Sequence, residues 1–364
     1  MQEAKPDLRV LVLNDGFKGN LNQSLGIAEA FHTADIRFLN VSLKGPSYSL
    51  PSRTGRYPLA TKLLSLLCVL RLWRCGKFFL RCLLKEGNYI WEERFDIVIS
   101  AGSVLSPVNL IISKNIKAVS VNIMVPSIIP LKLFDFAVIP YHDFLRLRDK
   151  NLKNLIVTMG APNCITAEML ETKSAKIKPF LTLPEDKKVI GVLIGGDDQN
   201  YTISVRWADE LFRGLKALKD KYSFIITTSR RTENKVVSFI REKIEDDSAF
   251  IYAEFPGYSE STFYPDILFV CDYILVTEDS INMVSEAVTS GRPVVILGVE
   301  RKKKGKQLIF DKTIEKMEEK GYAEYLSMDK LNTLMEKINE IKDKKFICLN
   351  EAERCIQEIL QSKK

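Results

Sequence analysis

One unit recurs along this chain and constrains its fold more than any other feature. It is a short apolar run, stopped by a loop carrying glycine and followed by a helix-forming stretch. Leu8 to Leu13 is the first run, stopped by Asn14-Asp15-Gly16, and Asn22 to Phe31 reads as the helix behind it. Asp96 to Ser100 breaks at Ala101-Gly102-Ser103, and Ala118 to Ile123 and Phe136 to Pro140 follow as further apolar strands. Runs without polar alternation predict strands buried on both faces, hence a parallel sheet between two layers of helix.

A second series begins at Lys188 to Ile194, which ends in Gly195-Gly196. Ser223 to Thr228 then ends in Ser229-Arg230-Arg231, Tyr273 to Val276 in Thr277-Glu278-Asp279-Ser280, and Pro293 to Leu297 in Gly298. With 364 residues there is material for two cores. The expectation is an α/β protein of two Rossmann-like, doubly wound parallel-sheet domains facing a central cleft. Domain one spans 1–170, a polar, lysine-rich linker spans 171–187, and domain two spans 188–340. Residues 341–364 form a helical tail that reaches back across the linker onto the first domain.

The net charge of +7 suggests nucleic acid until its location is read. Residues 51–90 hold eight basic side chains and one acidic one, and the rest of the chain has 45 of each. All the excess is one patch, which argues for one partner and against nucleic acid. Residues 60–86 read as a single amphipathic helix. Arg71, Arg74, Lys77, Arg81 and Lys85 fall within an arc of about 120°, with Leu66, Val69, Leu72, Trp73, Phe79, Leu80, Leu83 and Leu84 opposite. Such a helix lies in an anionic membrane interface, with Trp73 and Phe78 exposed; the other reading is a helix packed on the sheet with a solvated basic face. Cys68, Cys75 and Cys82 recur every seven residues on its flank, as lipidation sites or as small buried thiols.

Seven cysteines without a Cys-x-x-Cys pair or a nearby histidine suggest neither a zinc site nor a disulfide framework. They fit a reducing compartment. The N-terminus is polar and carries no signal-peptide core, and the longest uncharged stretch, Ile97 to Ser113, is broken by serine, glycine, proline and asparagine. No spanning helix is expected, and the chain is placed in the cytoplasm, peripheral to the inner face of a membrane.

In a parallel sheet the loops leaving the strands' carboxyl ends form the ligand crevice, where helix N-termini present free N–H groups. In the first such loop Asp15 is the candidate general base, or else a turn residue capping the next helix. Gly16, Lys18, Asn22 and Gln23 line the same loop, and its glycine spacing matches neither a dinucleotide fingerprint nor a P-loop. His142, in Pro140-Tyr141-His142-Asp143 directly after a strand, is placed facing the crevice.

In the second half, Thr277, Glu278, Asp279 and Ser280 enter a helix, with Asp279 or Ser280 as its N-cap. If residues 279, 283 and 286 turn inward, Met283 and Glu286 face the pocket, and Glu286 suits a ribose diol. The alternative partner of Glu286 is Arg292. Ser229, Arg230 and Arg231 place two guanidinium groups at the rim, suited to a diphosphate or to surface salt bridges. Gly195 and Gly196 let backbone approach a ligand. Asp197 and Asp198 could hold a metal, but no Asp-x-Asp occurs in the chain and no metal site is assigned.

Taken in order and spacing, Leu13 to Gly26, the Pro140-Tyr141-His142-Asp143 turn, Val192 to Gly196, Thr227 to Thr232, Val276 to Ala287 and Ser290-Gly291-Arg292-Pro293 resemble the ELM1-like family. The resemblance runs from about residue 10 to 310. Bacterial members are described as glycosyltransferases of the GT-B type, and plant members are linked to mitochondrial fission. The resemblance therefore implies a GT-B fold, with acceptor in the N-terminal half and nucleotide-sugar in the C-terminal half, and no cofactor beyond that donor. It implies sugar transfer to a lipid-linked or cell-envelope glycan. Asp15 would deprotonate the acceptor, Arg230, Arg231 and the Asp279–Ser280 helix start would stabilise the departing phosphate, and Glu286 would hold the ribose. A membrane adaptor without catalysis and a nucleotide-sugar epimerase are the alternatives. The basic run Arg301 to Lys306 either clamps an acidic donor or forms an exposed loop.

Overall fold

The strands are β1 (Leu8–Asn14), β2 (Ala34–Asn40), β3 (Ile97–Ala101), β4 (Val119–Ile123), β5 (Phe136–Pro140), β6 (Leu155–Thr158), β7 (Lys188–Ile194), β8 (Tyr201–Thr202), β9 (Tyr222–Thr228), β10 (Phe250–Glu254), β11 (Tyr273–Thr277), β12 (Val294–Leu297), β13 (Glu300–Arg301) and β14 (Glu324–Leu326). The helices are α1 (Lys18–Glu29), α2 (Leu59–Val69), α3 (Trp73–Leu83), α4 (Ser106–Ile116), α5 (Tyr141–Phe144), α6 (Val205–Lys216), α7 (Asn234–Ile244), α8 (Ile267–Val270), α9 (Ile281–Thr289), α10 (Asp311–Glu319), α11 (Leu334–Ile341) and α12 (Glu351–Gln361). This computed structural model describes residues 8–42, 59–166, 181, 183, 186–256, 266–303, 305 and 307–361. The expected linker lies largely outside them.

The chain forms two units, one of Met1–Cys164 with Glu351–Lys364, the other of Ile165–Asn350. In the first, a six-stranded sheet runs β2-β1-β3-β4-β5-β6 with every pairing parallel. The alternation of β1 explains the two helical layers. Val10 and Val12 join Ile27 of α1 and Cys355, Ile356 and Ile359 of α12 on one face, while Leu11 and Leu13 join Leu64, Leu80 and Leu110 of α2, α3 and α4 on the other. Each such aliphatic side chain contributes about 1.5–3 kcal/mol on burial. The expected tail divides, since residues 341–350 stay with the second unit and α12 packs on α1 and β6. There Glu351 Oε1 accepts from the Met159 N–H, and the Arg354 guanidinium donates to the Val157 carbonyl.

Residues 60–86 are not one helix. After α2 the Arg71 N–H donates to the Cys68 carbonyl and the Leu72 N–H to the Leu67 carbonyl, with Arg71 left-handed at φ 58°. That is a Schellman ending, and it turns the chain before α3 begins. The single-helix arc therefore does not survive, because the break rotates α3 out of the register set by α2.

The second unit has a parallel sheet in the order β10-β9-β7-β11-β12-β14, with a small antiparallel pair, β8 and β13, beside it. Ser204 caps α6 by accepting from the Trp207 N–H, and the buried Trp207 indole donates to the Gly298 carbonyl at 2.9 Å. This ties α6 to the loop that follows β12.

Candidate active site

Strand order reverses in each sheet at one place, between β1 and β3 in the first and between β7 and β11 in the second. Ligand crevices in open α/β sheets form outside the carboxyl ends of strands at such switch points.

In the second unit β7 delivers Gly195 and Gly196, and β11 delivers Thr277, Glu278 and Asp279. The Gly195 N–H donates to Thr277 Oγ1 at 2.7 Å and the Gly196 N–H to Asp279 Oδ2 at 2.8 Å. A Cβ on Gly195 would stand 2.2 Å from Asp279 Oδ2, and one on Gly196 would stand 2.3 Å from the Arg231 carbonyl carbon. The packing of the loops on each other therefore requires glycine at both positions.

Arg231 reaches back into the same knot. Its Nη2 lies 2.9 Å from Asp279 Oδ2, and its Nη1 donates to the Gly196 carbonyl at 3.2 Å. Both arginines are exposed at the rim, but Arg231 is held by a buried carboxylate, while Arg230 makes no hydrogen bond or ion pair among the described residues. Ser229 and Thr232 close the turn, with the Ser229 N–H donating to Thr232 Oγ1 at 3.0 Å. Burial pushes the Asp279 carboxyl up from the ordinary aspartate range, against hydrogen bonds from Thr277 and Gly196 and the Arg231 charge.

Helix α9 starts directly behind this knot, with Ser280 in the N-cap position but no side-chain cap hydrogen bond. Asp279 is thus not a cap; its carboxylate faces the interior. The uncapped first turn leaves N–H groups and the positive end of the helix dipole for an anion. Along α9 Met283 is half-buried and Glu286 buried. Arg292 donates to the Phe269 carbonyl at 3.1 Å.

Glu278 serves a second, structural network that the sequence did not reveal. Its Oε2 lies 3.1 Å from Arg301, which also holds Asp311, and 3.4 Å from the Tyr325 hydroxyl. Burial raises the Glu278 carboxyl, against hydrogen bonds from Val299 and Arg301. Arg301 is accordingly part of β13, and Lys302 lies 3.3 Å from Asp197; Lys304 and Lys306 lie outside the described residues. Asp197 also accepts from the Thr202 hydroxyl and the Ile203 N–H, and Asp198 from the Asn200 and Tyr201 N–H groups. Both aspartates are committed to the turn. No cluster of three or more histidine, cysteine, aspartate or glutamate side chains suited to a metal occurs among the described residues.

In the first unit β1 delivers Asp15, and β3 delivers Gly102 and Ser103. Asp15 Oδ2 accepts from Asn20 Nδ2 at 2.9 Å and Oδ1 from the Phe17 N–H at 3.1 Å. Burial pushes its carboxyl up, partly countered by these hydrogen bonds. Asn20, which the sequence reading did not single out, lies against Gly102, where an added Cβ would meet its Nδ2 at 2.8 Å. Gly16 is left-handed at φ 84°, and Lys18 opens α1 with its side chain exposed. Asn22 is exposed on α1, and Gln23 is buried. His142 stands at the end of β5, with β4 and β3 between it and β1. It is mostly buried 3.8 Å from Asp143, and burial pushes its pKa down against the Asp143 charge.

Of the basic segment, Arg71, Arg74, Arg81 and Lys85 are exposed. Trp73 is half-buried against the core under α2 and α3, and Lys77 sits 4.9 Å over the Trp91 ring, so these two are taken from the exposed set. Cys68 is buried, whereas Cys75 and Cys82 are exposed. No described helix is long and apolar enough to cross a membrane.

Comparison with known proteins bears on this geometry. The family model described as Mitochondrial fission ELM1 matches residues 18–362. An uncharacterized protein, RP120, of Rickettsia prowazekii is 28% identical over 299 residues, 73% of this chain and 79% of that protein. The mitochondrial fission protein ELM1 of Arabidopsis thaliana is 27% identical over 191 residues, 47% of this chain and 43% of that protein. Among solved structures, UDP-GlcNAc 2-epimerase from Neisseria meningitidis, bound to UDP-GlcNAc, has a TM-score of 0.54 at 14% identity, covering 98% of this chain and 100% of that one. The fold is GT-B-like, with Rossmann-like α/β units.

Proposed function

Since the chain belongs to the Mitochondrial fission ELM1 family, we propose on the geometry of its two switch points that it is a glycosyltransferase. It moves a sugar from a nucleotide-activated donor to a lipid-linked or cell-envelope glycan at the cytoplasmic face of a membrane. The observation that carries this reading is the uncapped start of α9, braced by Asp279, Arg231 and Gly196, with Arg230 left exposed beside it. The donor diphosphate docks on the start of α9 at Ser280 and Ile281 and on Arg230, and Glu286 takes the ribose diol.

In the first unit the Asp15 carboxylate accepts the proton of the acceptor hydroxyl as its oxygen bonds to the anomeric carbon. The bond from that carbon to the donor phosphate breaks, and the nucleoside diphosphate leaves with its charge stabilised by the helix start and Arg230. Gly16, Lys18 and Asn22 line the acceptor side. No cofactor beyond the donor is invoked.

A thermal-shift and calorimetric titration with nucleoside diphosphates and their sugars tests this, since a ligand that binds the native state raises its melting temperature. A shift confined to one nucleotide, and weakened in Arg230→Ala, supports the reading. A well-folded protein that binds none is an adaptor instead. The fold shared with a UDP-GlcNAc 2-epimerase supports a second reading, donor epimerisation, which predicts turnover without an acceptor.

A further inference from the structure

Helices α2 and α3 rest on α4. The Cys68 thiol meets the Pro107 carbonyl, Asn115 Nδ2 donates to the Trp73 carbonyl at 2.9 Å, and a Cβ on Gly76 would meet Ile111 at 2.9 Å. Away from that side, large apolar side chains stand exposed among the basic ones. Leu63 and Leu66 form an exposed stripe on α2, and Phe78 and Phe79 are exposed on α3. Between the helices the Schellman turn is Leu70-Arg71-Leu72, with Leu70 at 57% and Leu72 at 44% exposure. Turns at helix ends are ordinarily polar, and this one presents two leucines flanking a cation.

The charge on this surface is one-sided. Residues 59–85 contain six basic side chains and no acidic one. A second copy of the chain would set like charges against each other, and a nucleic acid would leave the leucines and phenylalanines in water. An anionic bilayer satisfies both, with phosphate for the arginines and acyl chain for the apolar tip. We propose that α2 and α3 form a membrane-docking hairpin whose Leu70-Arg71-Leu72 turn enters the headgroup boundary of an anionic bilayer. The inference deepens the reading of a membrane-held acceptor and rests on it only for its purpose, since lipid binding itself requires no donor.

The full chain is sedimented with phosphatidylcholine vesicles with and without phosphatidylglycerol. Two variants follow, a charge variant (Arg71→Glu, Arg74→Glu, Arg81→Glu) and an apolar variant (Leu70→Ser, Leu72→Ser), all at exposed positions. Binding is expected only with phosphatidylglycerol, to fall roughly a hundredfold in the charge variant and about tenfold in the apolar one. Equal binding to both vesicle types, wild-type binding by either variant, or no binding by the wild type overturns the proposal. So does a wild-type dimer, measured by light scattering, that the leucine substitutions dissociate. Nucleotide thermal shifts on the same samples separate the two readings: wild type that binds vesicles and no nucleotide removes the donor site and leaves the hairpin standing.

Discussion

The guanidinium of Arg231 lies 2.9 Å from the carboxylate of Asp279, a side chain buried at the carboxyl end of β11. The same oxygen accepts the Gly196 N–H, so one atom ties three loops together. Asp279→Asn removes the charge and buries an amide donor where an acceptor stood, at a cost of about 1–3 kcal/mol. Burial holds the Asp279 carboxyl above its ordinary range, so the folded state keeps this proton longer than the unfolded chain. That share of stability is present in acid and lost as pH rises through the folded pKa. The lead of wild type over Asp279→Asn in denaturant unfolding therefore narrows as pH rises across that window; a lead that widens would refute the assignment.

The two neighbouring arginines separate by experiment. Arg230→Ala should weaken nucleoside diphosphate binding by about tenfold or more while the melting temperature of the free protein stays put. Arg231→Ala should lower both, because it strands the Asp279 carboxylate. Equal behaviour of the two variants in calorimetry and thermal unfolding would contradict the different placements of the side chains.

For Asp15 the expectation lies in the pH profile. A general base works ionised, and burial raises this carboxyl, so kcat/KM should climb with pH through a value above the ordinary aspartate range. Asn20→Ala removes a hydrogen bond to the ionised form and should move that limb to higher pH. Asp15→Asn should cut turnover by about 10²–10⁴. An unmoved limb in Asn20→Ala would take Asp15 out of the mechanism.

Arg71 occupies a backbone region that favours glycine. Arg71→Gly should leave stability unchanged or raise it by up to about 1 kcal/mol, while weakening vesicle binding. A loss of more than about 1 kcal/mol in urea unfolding would show that the side chain, not the turn, holds the helices together.

The inner strands of both sheets were legible in the sequence because they are apolar on both faces and stopped by loops, as Val10 to Leu13 and Ile190 to Ile194 show, whereas outer strands such as β2, half exposed and carrying Asp35 and Arg37, were not. Asp15, Gly195, Gly196 and Asp279 were legible as loop residues for the same reason. What each side chain does there was not. Which of Arg230 and Arg231 is ion-paired depends on a carboxylate 48 residues along the chain from Arg231, and Glu278 finds Arg301, Asp311 and Tyr325 only through folding. The break at Arg71 was hidden for a different reason. A non-glycine residue in a left-handed conformation leaves no mark on helical periodicity, and the mixed leucine and arginine pattern reads through it.

Helix α12 closes the first unit although the whole second unit lies before it in the chain. During synthesis the second unit therefore emerges complete while the first still exposes Val10, Val12, Ile27 and Ile97, the surface that Cys355, Ile356 and Ile359 later cover. The N-terminal half must wait as a partly open sheet through the translation of residues 165–350. A chaperone that shields apolar surface has its substrate in that interval, and nascent chains stalled before Glu351 should be cut by protease in the first unit while the second resists.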